Sequence, residues 1–194
     1  MFDEQSIINW QVTLDLACED LNEVNQALSY YFIGYGLGFI FFFFPDAFGK
    51  RNSMIFAIIT QQIGCTLSLF ATDLKIKSIG LFLQGFFHLK TTLSYNYVTE
   101  FMPEEKKVLA STLMTAFDSS TLLFLSIYLA YYSRNIDEMY HIMYALAAVA
   151  IVLFIFIVPE SPQWLLIHKG SNNQEAIAIL NRIAAFNGSD VRVP

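Results

Sequence analysis

The chain has 194 residues, of which 55% are hydrophobic and only 14% are charged, and its formal net charge is −6. Since a soluble domain carries about 25% charged residues, this composition excludes an ordinary soluble domain. The acidic balance gives no sign of a nucleic-acid partner, and we expect none.

The first 26 residues are predicted to form an acidic tail outside the membrane. This tail carries six carboxylates and no lysine or arginine: Asp3, Glu4, Asp15, Glu19, Asp20 and Glu23. A secretory signal peptide begins with basic residues, so the tail is not one. We expect it to face the extracellular or lumenal side.

Residues 27–158 are predicted to form a bundle of five transmembrane helices. The chain contains five apolar blocks of 18 to 25 residues: Ala27–Phe44, Ser53–Thr72, Ser78–Thr99, Val108–Tyr132 and Tyr140–Val158. At about 1.5 Å per residue, each block is long enough to cross a hydrocarbon core about 30 Å thick. The fold class is therefore an all-α membrane protein, with the lipid bilayer as its first partner. Gly34, Gly36 and Gly38 in the first block favour close packing between helices.

The distribution of lysine and arginine predicts the orientation. An outside amino terminus places seven basic residues on the cytoplasmic side: Lys50, Arg51, Lys106, Lys107, Lys169, Arg182 and Arg192. Only Lys75, Lys77 and Arg134 then lie outside. The positive-inside rule favours this arrangement. Residues 159–194 become a cytoplasmic tail with a short amphipathic helix, whose predicted capping residues are Asn172 and Glu175.

The sequence contains no arrangement of residues typical of an enzyme. His88, His141 and His168 lie in different segments and lack metal-ligand spacing. A phosphate-binding loop and a nucleophile elbow are also absent from the sequence. We therefore expect no catalytic activity, no cofactor and no metal.

Three charged motifs recur on the predicted cytoplasmic side. They are P-D-A-F-G-K-R at Pro45–Arg51, Y-V-T-E-F-M-P-E-E-K-K at Tyr97–Lys107, and V-P-E-S-P-Q-W-L-L-I-H-K at Val158–Lys169. The first alone is compatible with an ordinary basic loop. The last follows a long apolar segment and contains two prolines that end a helix at the membrane boundary.

Together the three motifs resemble those of the major facilitator superfamily, and within it the organic cation/anion transporter branch. The first is similar to D-R-x-G-R-[RK], the second to a T-E-F motif with a basic pair, and the third to P-E-S-P-R-W-L. The resemblance implies family helices 2–6, a plasma-membrane location and a small organic ion as substrate. It also implies a cytoplasmic latch that holds the outward-open state, formed by Asp46, Gly49, Lys50, Arg51, Glu100, Lys106, Lys107, Glu160, Ser161 and Trp164.

The chain departs from the family pattern in several places. Ala47, Leu81 and Gln163 stand where the family has arginine. The first family helix and the carboxyl-terminal six-helix half are absent from this sequence. Because such carriers bind substrate between two halves, we expect this chain alone not to complete a transport cycle, and a carboxyl-terminal half is a possible partner. The competing interpretation is a truncated or repurposed membrane protein that does not transport.

Two ionisable residues lie deep inside the predicted spans. Lys90 precedes Glu100 by ten residues and Asp118 follows Val108 by ten, so both lie roughly 15 Å from the cytoplasmic end of neighbouring helices. Charges at this depth are rare and often functional. Lys90 and Asp118 are predicted either to face a substrate cavity or to form an internal ion pair. Tyr95 is a further cavity candidate, because a tyrosine suits an organic cation as well as ordinary packing.

Overall fold

The computed structural model describes residues 12, 14, 16, 21–88, 90–170 and 173–188, and this part of the chain contains helices and turns but no β-strand. Most of the predicted acidic tail therefore lies outside the described residues. The helices are α1 (Leu21–Leu37), a 3₁₀ segment (Gly38–Phe43), α2 (Phe44–Phe48), α3 (Lys50–Phe70), α4 (Leu74–Phe86), α5 (Lys90–Thr99), α6 (Glu104–Tyr131), α7 (Ile136–Ile157), α8 (Pro162–Lys169) and α9 (Gln174–Phe186).

The predicted all-α membrane bundle is confirmed. Four helical stretches among the described residues are long and apolar enough to cross a membrane: Asn22–Phe48, Lys50–Phe70, Glu104–Tyr131 and Ile136–Ile157. The remaining predicted span, Ser78–Thr99, is divided between α4 and α5.

A tight turn separates α4 from α5. The amides of His88, Lys90 and Thr91 each donate to the carbonyl three residues earlier, at 3.0 to 3.2 Å. This spacing is that of a 3₁₀ turn, which overwinds the backbone and interrupts the α-helix. The interruption places Lys90 at the first position of α5.

Glycine allows α1 and α4 to pack closely. A Cβ atom at Gly34 or Gly38 would collide with the carbonyl oxygens of Phe82 and Phe86, and one at Gly85 would collide with that of Tyr31. The expected close packing is thus present at two of the three glycines of α1 and the 3₁₀ segment. The expectation was wrong for Gly36, because a Cβ there would meet no atom within 4 Å.

A small, mainly aromatic core lies between the 3₁₀ segment, α3, α4 and α5. Phe41, Ala57 and Phe87 are buried together, with Phe86 and Leu93 packed against them. The rings of Phe41 and Phe87 meet edge to face with centroids 5.2 Å apart. In contrast, α6 contains no buried residue, so its long apolar surface faces outwards from the described bundle.

Two short helices follow α7. Ser161 caps α8, and its side chain accepts a hydrogen bond from the Trp164 amide at 3.1 Å. The predicted amphipathic helix is α9, which packs against α8. Its cap is Asn173 and not Asn172, since the Asn173 side chain accepts from the amides of Glu175 and Ala176. Asn172 itself lies outside the described residues.

Candidate functional site

One end of the bundle gathers residues from all three charged motifs. The turn between α2 and α3, the residue after α5, and the junction between α7 and α8 meet there. We call this group the latch cluster: Gly49, Lys50, Arg51, Glu100, Glu160 and Ser161. The sequence motifs lie about fifty residues apart, so only the fold brings them together.

Glu100 connects two parts of the latch cluster. Its carboxylate forms an ion pair with the ammonium of Lys50, the first residue of α3. It also accepts a hydrogen bond from the hydroxyl of Ser161, which is fully buried. The Glu100 side chain is 11% exposed, so both interactions are largely shielded from water.

Arg51 ties the start of α3 to the end of α7. Its Nε donates to the carbonyl oxygen of Val158 at 2.7 Å, and its Nη2 donates to that of Ile155 at 2.6 Å. The last carbonyls of a helix lack partners within the helix and carry partial negative charge. The planar guanidinium satisfies two of them at once, which a lysine ammonium does not reproduce.

The Glu160 carboxylate contacts the backbone at the start of α3. One carboxylate oxygen accepts from the amides of Arg51 and Ser161, both at 2.9 Å. Gly49 has a φ of +96°, and a Cβ there would lie 2.6 Å from the other oxygen of Glu160. Glycine is therefore required twice, by the backbone conformation and by the approach of the carboxylate.

Trp164 packs beside the cluster, and Asp46 contributes differently from the sequence expectation. The indole Nε1 of Trp164 donates to the backbone carbonyl of Asp46 at 3.0 Å. The Asp46 carboxylate forms no hydrogen bond or ion pair with the described residues. Trp164 also stacks on His168, with ring centroids 4.8 Å apart.

The two lysines of the second motif lie apart from the cluster. Lys107 pairs with Glu104 one turn away on α6, and Lys106 is exposed. The structure therefore brings together most of the predicted latch residues, but not these two.

Sequence reasoning missed one contact of this region. The hydroxyl of Tyr97 donates to the carbonyl of Pro159, linking α5 to the α7–α8 junction. Tyr97 is buried, with 5% exposure. Its position in the motif three residues before Glu100 was a usable signal, because one helical turn places both on the same face.

The predicted intramembrane residues lie on α5 and α6. Lys90 is half-buried at the start of α5, and Asp118 is exposed on α6. No ion pair within 4.0 Å joins these two described residues.

Tyr95 and His88 flank Lys90 in sequence but have different surroundings. The Tyr95 hydroxyl is buried and has no hydrogen-bond partner among the described residues. His88 is exposed in the turn before α5, where its Nδ1 lies 3.0 Å from the Tyr31 hydroxyl. A buried hydroxyl without a partner is costly, so a hydrogen bond from a polar ligand would stabilise Tyr95.

The described residues contain no group of three His, Cys, Asp or Glu side chains that could hold a metal ion. The chemistry of the latch cluster is that of reversible ion pairs and hydrogen bonds between helix ends. Such contacts form and break without covalent change, which suits a conformational switch.

Comparison with known proteins identifies a family and several relatives. Residues 22–193 match the family described as Sugar (and other) transporter. The chain is 27% identical over 181 residues to Solute carrier family 22 member 1 of Oryctolagus cuniculus, covering 92% of this chain and 30% of that protein. The same protein of Bos taurus is 29% identical over 188 residues, covering 93% and 30%.

A bacterial protein is similar at the same level. The Arabinose-proton symporter of Bacillus subtilis (strain 168) is 28% identical over 159 residues, covering 77% of this chain and 33% of that protein. The chain thus spans about a third of the length of the curated relatives that it matches. With a family match over nearly its whole length and four apolar membrane-length helices, this chain belongs to the sugar (and other) transporter family, as a partial major facilitator transporter.

Proposed function

We propose that this chain forms part of the amino-terminal half of a secondary carrier for small organic ions. In this account it lies in the plasma membrane with its amino terminus outside and the latch cluster in the cytoplasm. The count of basic residues on the two sides supports this orientation.

The observation that carries the proposal is the latch cluster itself. Lys50–Glu100, Ser161–Glu100 and Arg51 with the end of α7 all join ends of different helices. A carrier that works by alternating access must close one end of its bundle while the other is open. The contacts of the latch cluster lie at one end of the bundle, where they would hold the helix ends in the arrangement that closes against the second half.

The intramembrane residues support an ionic substrate. A charged side chain at the centre of a membrane helix costs about 2.5–3.5 kcal/mol on the insertion scale. Lys90 and Asp118 carry that cost without forming a direct ion pair with each other. An organic ion that contacts one of them would offset it, and the buried Tyr95 hydroxyl offers a hydrogen bond to the same ligand.

A second candidate is an uncharged sugar. It is favoured by the relative named as an arabinose symporter, which is as similar to this chain as the solute carrier relatives are. Neutral sugars need several hydrogen-bonding partners and no fixed charge. The partly buried glutamines Gln62 and Gln84 could supply such partners, but both are already bonded to protein groups.

Ligand binding to the chain in lipid nanodiscs separates the candidates. Radiolabelled tetraethylammonium, para-aminohippurate and arabinose would each be titrated and competed with the unlabelled compound. We expect saturable binding of one of the two organic ions and none of arabinose. Saturable binding of arabinose alone would contradict the organic-ion proposal. Binding of none of the three would favour the non-transporting membrane protein.

A complete carrier needs more helices than this chain spans. In carriers of this type, substrate passes between two halves that rock around it. We propose that a carboxyl-terminal half completes the pathway, whether it belongs to the same polypeptide or to another. Binding to this chain is the primary readout for that reason, and flux is the readout for the completed carrier.

A further inference from the structure

A cavity of about 500 Å³ lies between the latch cluster and the two terminal helices. Its walls come from the start of α3, the last turn of α7, α8 and α9. Three cationic side chains line it: Arg51, Lys169 and Arg182. The cavity shares Arg51 and Glu160 with the latch cluster, and none of the substrate-site candidates Lys90, Tyr95 and Asp118 lines it.

The cavity lining carries three cations and two carboxylates, Glu160 and Glu175, and therefore has a net positive charge. Glu160 also lines the cavity, but one of its oxygens already accepts from the amides of Arg51 and Ser161. Lys169 and Glu175 lie 3.6 Å apart, and their side chains are 51% and 57% exposed. Exposed pairs of this kind are weak and exchange readily.

Arg182 is the cation with the least protein compensation. It is exposed on α9 and forms no hydrogen bond or ion pair with the described residues. Arg182 and Arg51 both line the cavity. Arginine recognises phosphate through two parallel hydrogen bonds, and a lysine beside it adds a point charge.

The rim of the cavity is apolar. Phe156 and Ile157 line it from the last turn of α7, and they are 83% and 66% exposed. In a membrane-spanning helix, such exposed side chains lie against acyl chains. The cavity therefore combines a cationic interior with a hydrocarbon-facing edge, a combination that a soluble anion would not need.

We propose that this cavity binds the headgroup of an anionic phospholipid. The phosphate lies between Arg182 and Lys169, and an acyl chain follows Phe156 and Ile157 into the bilayer. A bound lipid would hold α9 against the end of α7. Since Arg51 and Glu160 belong to both the cavity and the latch cluster, lipid at this position also favours the closed arrangement of the latch.

Fluorescence quenching by brominated lipid tests the site directly. Trp164 lines the cavity, and the chain has two tryptophans, so Trp10→Phe leaves Trp164 as the reporter. The full chain would be placed in nanodiscs that contain dibromo-phosphatidylglycerol or dibromo-phosphatidylcholine at equal mole fraction. We expect stronger quenching by phosphatidylglycerol, with a preference that falls roughly five-fold for each of Arg182→Gln and Lys169→Gln.

Two further variants test whether the lipid preference arises from charges inside the cavity. Lys106→Gln removes the same charge on the same side of the membrane from an exposed residue that does not line the cavity, and should leave the preference unchanged. Glu175→Gln releases Lys169 from its pair and should increase the preference. The four substituted positions are exposed, so helix content by circular dichroism should match that of the parent chain.

Three outcomes would overturn the proposal. The first is equal quenching by the two lipids, and the second is an effect of Lys106→Gln as large as that of Arg182→Gln. The third is relief of quenching by millimolar glycerol phosphate, which would assign the cavity to a soluble phosphate ester.

Discussion

The ion pair between Lys50 and Glu100 joins the first residue of α3 to the residue that follows α5. Glu100 receives a second contact from the buried hydroxyl of Ser161, so one carboxylate connects three segments of the chain. These segments are about fifty and sixty residues apart in sequence, and the contacts join them at one end of the bundle.

Removal of the Glu100 charge should destabilise this end. In Glu100→Gln, the partly buried Lys50 ammonium loses its partner, and we expect a loss of about 1–3 kcal/mol in the free energy of unfolding. Unfolding by sodium dodecyl sulfate in mixed micelles would measure it. Glu104→Gln is the control, because the 87% exposed Glu104 pairs with Lys107 within one helix and should contribute little. Equal effects of the two substitutions would contradict the role of Glu100.

Gly49→Ala should be costly for two separable reasons. Alanine at a φ of +96° is strained by about 1–3 kcal/mol, and its Cβ would also displace Glu160. Gly170→Ala isolates the first effect, since Gly170 has a φ of +95° and open space around its Cβ position. We expect Gly49→Ala to lower the free energy of unfolding more than Gly170→Ala does. A loss no greater than that of Gly170→Ala would show that the contact with Glu160 is unimportant.

Gly85→Ala should force α1 and α4 apart. Its Cβ would overlap the carbonyl of Tyr31, which is backbone and cannot rotate away. Gly36→Ala should be neutral or slightly stabilising, because nothing lies within 4 Å and alanine favours helix by up to about 1 kcal/mol. The melting temperature of each variant in detergent would compare them. If both variants melt alike, close packing at Gly85 is not required.

Arg51→Lys should open the latch even though it keeps the charge. A lysine cannot donate to the carbonyls of Ile155 and Val158 in the fixed geometry of the guanidinium. The fully buried Leu165 gives a reporter in the form of Leu165→Cys, in a chain that also carries Cys18→Ser and Cys65→Ala. We expect faster alkylation by a membrane-impermeant maleimide in Arg51→Lys, and faster still in Arg51→Gln. An unchanged rate in both variants would contradict the closure of this end by Arg51.

Much of the bundle could be predicted from the sequence, because apolar block lengths and proline positions depend on the membrane and not on details of packing. The division between Phe86, the last residue of α4, and Lys90, the first residue of α5, could not be predicted, since an apolar run gives no sign of a local 3₁₀ turn. Gly34 and Gly36 look alike in the sequence, yet only Gly34 faces a neighbouring backbone.

The latch residues could be predicted as a group but not atom by atom. The resemblance to the family implied that Arg51, Glu100 and Glu160 belong to one network, and the structure places the three residues together. Which atom of Asp46 points towards Trp164 depends on the rotation of the short helix α2, and the indole contacts the carbonyl rather than the carboxylate. The Tyr97–Pro159 contact likewise depends on how α5 meets the α7–α8 junction.

The central claim is that an intramembrane charge binds an organic ion, and Lys90→Gln tests it most directly. The affinity of the chain in nanodiscs for its preferred organic ion would be measured in Lys90→Gln and Asp118→Asn, with the exposed Lys75→Gln as the control. The account predicts a loss of about ten-fold or more in one of the first two variants, with an unchanged free energy of unfolding. Unchanged affinity in both, or a loss of stability in Lys90→Gln that Asp118→Asn restores, would contradict it and identify a structural charge pair.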